Sequence, residues 1–395
     1  MKKRFLRDIA EIQTGPFGSQ LHKEDYVDVG TPIVTVEHLG SRVFSEQNLP
    51  MVSEADKSRL SKYVLKKGDI VFSRVGSVDR CSFVDQKHDG WMFSGRCLRV
   101  RPNEEVDSLF LYYFFCLNAT KEFVRSIAVG ATMPSINTKL LGEVEVICPE
   151  IEEQRKIADI LSKIDDKIEE NQKINENLEQ QAQAYFQELF VDNADPEWTT
   201  GTISDLGTVV GGSTPSKAKP EYYTETGIAW ITPKDLSINK SKFVSHGEND
   251  ITELGLKNSS AVIMPEGTVL FSSRAPIGYI AIATDEVTTN QGFKSVVPKQ
   301  GIGTPFVYFF LKNTLSVIEG MASGSTFKEI SGSTMKKVPA VIPDAETLAK
   351  FSNFCAPIFA QQRILEEQNQ SLAILRDNLL PKLMSGEIDV SSIDL

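Results

Sequence analysis

Residues 157–189 read IADILSKIDDKIEENQKINENLEQQAQAYFQEL, with no glycine or proline. Ile157, Leu161, Ile164, Ile168, Asn171, Asn175, Leu178, Ala182, Tyr185 and Leu189 recur at alternating three- and four-residue steps, the seam of a heptad helix. At ~1.5 Å of rise per residue, such a helix spans roughly 50 Å. Moved on by 194 positions, the seam returns as Phe351, Cys355, Ile358, Gln362, Leu365, Asn369, Leu372, Arg376, Leu379 and Leu383. Asn175 and Asn369 fall on the same position, and polar seam residues fix register and pairing at a cost in stability. The expected arrangement is an antiparallel coiled coil of these two helices. Pro357 should start or kink the second helix, and Pro381 should break or kink its end.

Outward from the helices, the whole chain repeats at an offset near 197. Asp8 meets Asp205, Gly30 meets Gly227, Thr35 meets Thr232, and Leu39 meets Leu236. GDIVFSR (68–74) meets GTVLFSSR (267–274) with one insertion, which pairs Arg74 with Arg274. Tyr113-Phe114-Phe115 meets Tyr308-Phe309-Phe310, and Gly130, Thr132, Ile136 and Pro149 meet Gly324, Thr326, Ile330 and Pro343. Each repeat opens with about 145 residues of short β-rich runs (31–36, 69–73, 144–147; 229–232, 268–272, 338–342) between Gly, Pro and Ser turns. Residues 108–117 and 304–311 read as buried aromatic helices. The expected fold class is α+β: two tandem globular domains, each followed by a long helix, the helices pairing antiparallel with approximate twofold symmetry. The boundaries fall at 1–150, 151–191, 192–343 (linker and second domain) and 344–395.

The net charge of −11 is unevenly spread: residues 1–150 are neutral, 151–200 carry −8, 201–343 carry +1 and 344–395 carry −4. The acidity therefore belongs to the helices, and the two heads can still present basic faces to phosphate. The longest apolar run, 109–117, is too short to span a membrane, and MKKRFLRDIAEIQTG does not read as a signal peptide. Five scattered cysteines without a CxxC pair suit a reducing cytoplasm. No H-E-x-x-H, Walker A, G-x-S-x-G or strand-linked GxGxxG pattern occurs, and the four histidines are scattered. This pattern describes a binding protein without catalysis or metal of its own.

TETGIAWITPKDL (224–236), EGTVLFSSRAPIGYIAI (266–282), TTNQGFKSV (288–296) and GSTFKEIS (324–331) look like recurring motifs of target-recognition domains. The helical segments 150–190 and LLPKLMSGEI (379–388) look like the regions between and after them. In this combination the chain resembles the specificity subunit of a Type I restriction-modification system. The first repeat departs from the motifs, with IVTVEHL, FSGRCLRV and GATMPSIN at the corresponding places. The resemblance implies a non-catalytic subunit that reads a bipartite, asymmetric double-stranded DNA target, with the helices setting the gap between half-sites. It implies two methyltransferase subunits as partners, S-adenosylmethionine held there rather than here, and a nuclease-translocase subunit where the system restricts. Two other readings fit the residues alone: a scaffold that recruits proteins, and an enzyme with its site in one head.

Within that reading, Ser73, Arg74, Ser272, Ser273, Lys294 and Thr326, in or beside glycine-rich turns, are expected to position phosphate. Arg96, Asn137, Lys234, Arg274, Asn290 and Gln291 carry the donors and acceptors suited to base edges. Ile157, Leu161, Ile164, Ile168, Asn175, Leu178 and Leu189 should face Ile358, Leu365, Asn369, Leu372, Leu379 and Leu383 in the helix seam.

Overall fold

The computed structural model describes residues 2–17, 20–324, 328–391 and 393. They form two compact units, residues 1–167 with 371–395, and residues 168–370. Each unit holds one head and a stretch of both long helices.

In the first head, an antiparallel sheet runs Ala10–Thr14, Cys97–Pro102, Ile70–Ser73, Cys81–Phe83. A smaller sheet runs Tyr26–Val27, Met51–Val52, Thr31–Val34, Met92–Phe93, its last pair parallel, and Lys2–Phe5 pairs with Glu145–Cys148. The second head repeats this order as Gly207–Gly211, Lys294–Pro298, Val269–Ser273, Ile277–Ala283, with Phe243–Val244 added at the edge. Its smaller sheet runs Tyr223–Thr224, Asn249–Ile251, Ile228–Ile231, Thr288–Thr289, again parallel at the end, and Thr199–Thr202 pairs with Pro339–Ile342. All six expected strands are present.

Strand periodicity explains the layering. Ile70 and Phe72 join the core around Phe110, Tyr113 and Phe115, while Val71 points into the smaller-sheet core with Ile33, Val34, Met92 and Phe93. In the second head, Val269 and Phe271 face Phe306 and Phe309, and Leu270 faces Ile231 and Val287. A strand covered on both faces reads as a continuous apolar run, as IVF and VLF do. The helices Ser108–Cys116 and Thr304–Asn313 supply the aromatic layer, buried from 110 to 115 and from 306 to 311. Asp107 caps the former by accepting from the N–H groups of Leu109 (3.0 Å) and Phe110 (2.9 Å).

The substitution of IVTVEHL for WITPKDL keeps its hydrogen bonds. Thr232 caps the helix Pro233–Ile238, and its N–H and hydroxyl both donate to Asp235 at 2.7 Å. At Thr35 the acceptor is His38 Nδ1, 3.0 Å from the Thr35 N–H. The other ring nitrogen lies 3.1 Å from the Gln47 carbonyl, which can only accept. Nε2 therefore carries the proton, and Nδ1 takes the role of the Asp235 carboxylate.

The long helices run Ile151–Gln187, with a π turn over Glu188–Asp192, and Ala345–Ser385. In the first unit, Ile157 and Leu161 share a core with Leu380, Leu383 and Met384, and Leu379 packs against it. In the second unit, Ala182 and Phe186 pack with Phe351, Cys355 and Ile358, flanked by Leu178 and Leu189. Leu365 is buried, and Ile164, Ile168 and Leu372 are half-buried. The polar seam residues bond across the pair: Asn171 Nδ2 donates to Asn369 Oδ1 (2.9 Å), Asn369 Nδ2 to Ile168 O (3.4 Å), and Asn175 Nδ2 to Gln362 O (3.4 Å). Partner numbers fall as the first helix advances, so the strands of the coiled coil are antiparallel.

Pro357 does not start the second helix and Pro381 does not break it: the helix begins at Ala345 and runs through both to Ser385. A helical proline removes one backbone hydrogen bond and crowds a carbonyl, costing ~3 kcal/mol. Burial of Cys355, Ile358 and Phe359 around one proline, and of Leu380, Leu383 and Met384 around the other, offsets that.

Each head is fastened to the helices by ionic contacts, some buried and some at the surface. In the first unit, Asp165 accepts from Tyr113 Oη (2.7 Å) and Arg376 Nη1 (2.8 Å), and Asp166 accepts from Arg42 (2.5 Å). In the second, Glu179 accepts from Lys242 (2.7 Å), Lys312 (2.5 Å) and Tyr308 Oη (3.1 Å). The Lys242 ammonium lies 3.5 Å from the Phe359 ring centre, and Glu366 accepts from the N–H groups of Lys242 (2.9 Å) and Phe243 (3.0 Å). Burial alone would raise the Glu179 carboxyl, but Lys242 and Lys312 outweigh it and hold it at about 2. Burial pushes Lys242 down to about 8 against the pull of Glu179.

Candidate nucleic-acid interface

Most of the residues expected to meet DNA lie on or beside three segments that join at the end of the central strand in each main sheet. In the second head, Ser273 N donates to Gly292 O (2.7 Å) and Ile330 N donates to Ser273 O (3.1 Å). The end of strand Val269–Ser273, the turn 290–292 and the segment 329–331 are thereby brought together. In the first head, Arg74 N donates to Arg96 O (2.8 Å) and Ile136 N to Arg74 O (2.9 Å). Close approach of a fourth segment needs glycine in both. A Cβ on Gly212 would sit 1.9 Å from the Asn290 carbonyl oxygen, and one on Gly15 would sit 2.2 Å from that of Ser94.

These bonds correct the sequence alignment of the repeats. Arg74 is the main-chain equivalent of Ser273, and Val75 is that of Arg274, so the two arginines are not counterparts. The match of identities slipped by one residue after Phe72 and Phe271, and a one-residue slip along an extended chain reverses the face a side chain takes.

The three serines turn inward. Ser73 Oγ donates to Val75 O (2.7 Å), Ser272 Oγ donates to Pro276 O (2.8 Å) and accepts from Tyr279 N (2.8 Å), and Ser273 Oγ donates to Gly292 O (3.0 Å). All three are buried, so their hydroxyls build the turns. Thr326 lies outside the described residues.

The remaining candidates, Lys294 apart, reach the surface. Arg74 is half-buried, with Nη1 donating to Gly95 O (3.2 Å) and the guanidinium 5.8 Å from the exposed Phe17 ring. Arg96 and Asn137 are exposed, and Asn137 Oδ1 caps the helix Thr138–Gly142 by accepting from Leu140 N (2.9 Å). Asn290 is half-buried, with Oδ1 accepting from Gly292 N (2.8 Å), and exposed Gln291 bonds Thr214. Lys234 is exposed and paired with Glu248 (2.5 Å). Lys294 is mostly buried, which pushes its ammonium down from the usual lysine value. It donates to Gln291 O and Phe293 O, both at 3.2 Å.

Glu329 was missed in the sequence although it lies inside GSTFKEIS. Its carboxylate stands 3.5 Å from Arg274 and 3.9 Å from Lys294. Phe17, Val129 and Met133 were missed because an exposed apolar side chain has no sequence signature; their exposures are 61%, 63% and 64%. Among the described residues no three His, Cys, Asp or Glu side chains could hold a metal ion, and no helix is long and apolar enough to cross a membrane.

Residues 1–180 and 196–375 match the family described as the Type I restriction modification DNA specificity domain. The chain is 43% identical to the Type I restriction enzyme MjaIX specificity subunit of Methanocaldococcus jannaschii over 42% of its own length, a match spanning 39% of that relative. It is 26% identical to the HindI specificity subunit of Haemophilus influenzae, covering 83% of this chain and 88% of the other. A crystal structure of the S subunit of a Type I restriction-modification system from M. genitalium shares the fold, with a TM-score of 0.61 at 19% identity over 97% of this chain and 95% of that one.

Proposed function

Because the chain belongs to the Type I restriction-modification DNA specificity family, we propose that its two heads each read one half of a bipartite, asymmetric double-stranded DNA target. The chain is a non-catalytic specificity subunit. Residues 1–150 and 192–343 do the reading, and the helices 151–191 and 344–395 act as the ruler between half-sites. The observation that supports this best is the duplicated three-segment junction. The same backbone contacts recur in both heads, yet different side chains project from them, as two readers of different sequence require. The acidic helices keep phosphate off the ruler and leave their outer faces to partner subunits.

Two methyltransferase subunits carrying S-adenosylmethionine supply the chemistry, in the cytoplasm where the DNA lies, and a nuclease-translocase subunit joins where the system restricts. The decisive test combines footprinting with maps of N6-methyladenine in DNA from cells expressing the chain with its methyltransferase. Two protected blocks separated by a fixed gap are expected. A single continuous block, or methylation without sequence preference, overturns the reading. A protein-recruiting scaffold would leave DNA unprotected, and no feature of the heads favours that alternative.

A further inference from the structure

The two junctions share a backbone but not a charge. Lys294 pairs with Gly211 as Leu98 pairs with Thr14, and the two-way bond of Ser323 with Glu329 repeats as that of Val129 with Ser135. With Arg274 equivalent to Val75, the second head carries Arg274, Glu329 and Lys294 where the first carries Val75, Ser135 and Leu98. Three positions that carry ions in one head therefore correspond to uncharged ones in the other, near exposed Val129 and Met133, while the first head's own arginines, Arg74 and Arg96, stand at the places of Ser273 and Gly292.

The geometry of the cluster separates its members. Lys294 is pinned by two carbonyls of its own turn and mostly buried, so it supports the junction rather than reaching outward. Arg274 is more than a third exposed, and its contact with Glu329 is long at 3.5 Å. A half-exposed ion pair of this length is weak, so the guanidinium keeps donors available for another acceptor. Glu329 is tied to Arg274 by a main-chain bridge as well as by charge, which holds the carboxylate beside the guanidinium and limits its orientations.

We propose that Arg274 reads a guanine in the half-site of the second head, with Glu329 as its positioning residue, and that the first head has no counterpart to this contact. This rests on the DNA-reading function above. A guanidinium presents paired donors that match guanine O6 and N7 in the major groove, and a carboxylate behind it disfavours rotation away from that pose. Glu329 also penalises any base edge that would place an acceptor against it.

The test uses the full chain assembled with its methyltransferase, with binding measured on duplexes substituted one base pair at a time. The wild type should require a guanine at one position of one half-site. Arg274→Ala should lower discrimination at that position tenfold or more. Glu329→Gln, a nearly isosteric change at a half-exposed side chain, should relax the same position severalfold while leaving every other position and the melting temperature unchanged. A uniform loss across all positions would make Glu329 merely structural and overturn the inference, as would a half-site with no guanine requirement. If the wild-type complex gives no bipartite preference, the function proposed above falls with it; if that preference persists while Glu329→Gln changes nothing, this inference falls alone.

Discussion

At the scale of single residues, side chains that look equivalent in sequence do unlike work. Ser73, Ser272 and Ser273 stand in the turns where phosphate contacts were expected, yet each hydroxyl is consumed by a backbone carbonyl. Nothing in a glycine-rich serine turn distinguishes a hydroxyl facing out from one facing in; in the second head the register shifts between Phe271 and Ser273, and Ser73 turns inward without such a shift. Glycine is more readable, because a forced close approach tolerates no side chain. Gly212→Ala should displace the 290–292 turn, weaken binding to one half-site severalfold and destabilise the second unit by about 1–3 kcal/mol. Binding titrations and thermal melts would register both effects.

Glu179 gives a residue-scale prediction with a definite pH sense. Its folded value of about 2 lies below the ordinary carboxylate range, so the unfolded chain binds the proton more readily. The stabilisation is complete above about pH 4.5 and fades as pH falls towards 2. Glu179→Gln should remove that acid sensitivity and, by leaving Lys242 buried without its counter-charge, cost the second unit about 3 kcal/mol at pH 7. Denaturant titrations at pH 7 and pH 3.5 would show the difference between wild type and variant shrinking with acid.

At the scale of elements, periodicity carried most of the information. The heptad spacing located both long helices, and the apolar runs located the central strands, because those patterns are imposed by burial rather than by chemistry. The prolines are overridden for the same reason: Pro357 and Pro381 speak against a helix locally, yet the helix continues past both because core packing on either side of each prevails. The polar seam invites a direct measurement. Asn369→Leu should strand the Asn171 amide and cost about 1–3 kcal/mol. Replacing Asn171 by Leu as well should recover that loss while loosening the register. A double-mutant cycle with hydrogen exchange on the helices would show a coupling energy of either sign well above 0.5 kcal/mol; simple additivity would mean that the two amides act independently.

At the scale of the molecule, the proposed ruler makes a numerical prediction. Adding one heptad to each long helix at the Asn171–Asn369 level lengthens the pair by about 10 Å, or about 3 base pairs at ~3.4 Å each. Both half-sites should stay unchanged while the gap between them grows by that amount, which methylation mapping would read directly. An unchanged gap would mean that the helices do not set it.

The ionic fastenings have a bearing on domain exchange. Grafting the 201–343 head onto the helices that hold the first would bring Lys242 and Lys312 beside Arg376, crowding three cations around Asp165 and Asp166. The reverse transplant would set Arg42 alone against Glu179 and Glu366, with Leu117 at the place of Lys312. Chimeras that shuffle specificities should therefore assemble cleanly only when the recipient helix is recoded to match its new cargo.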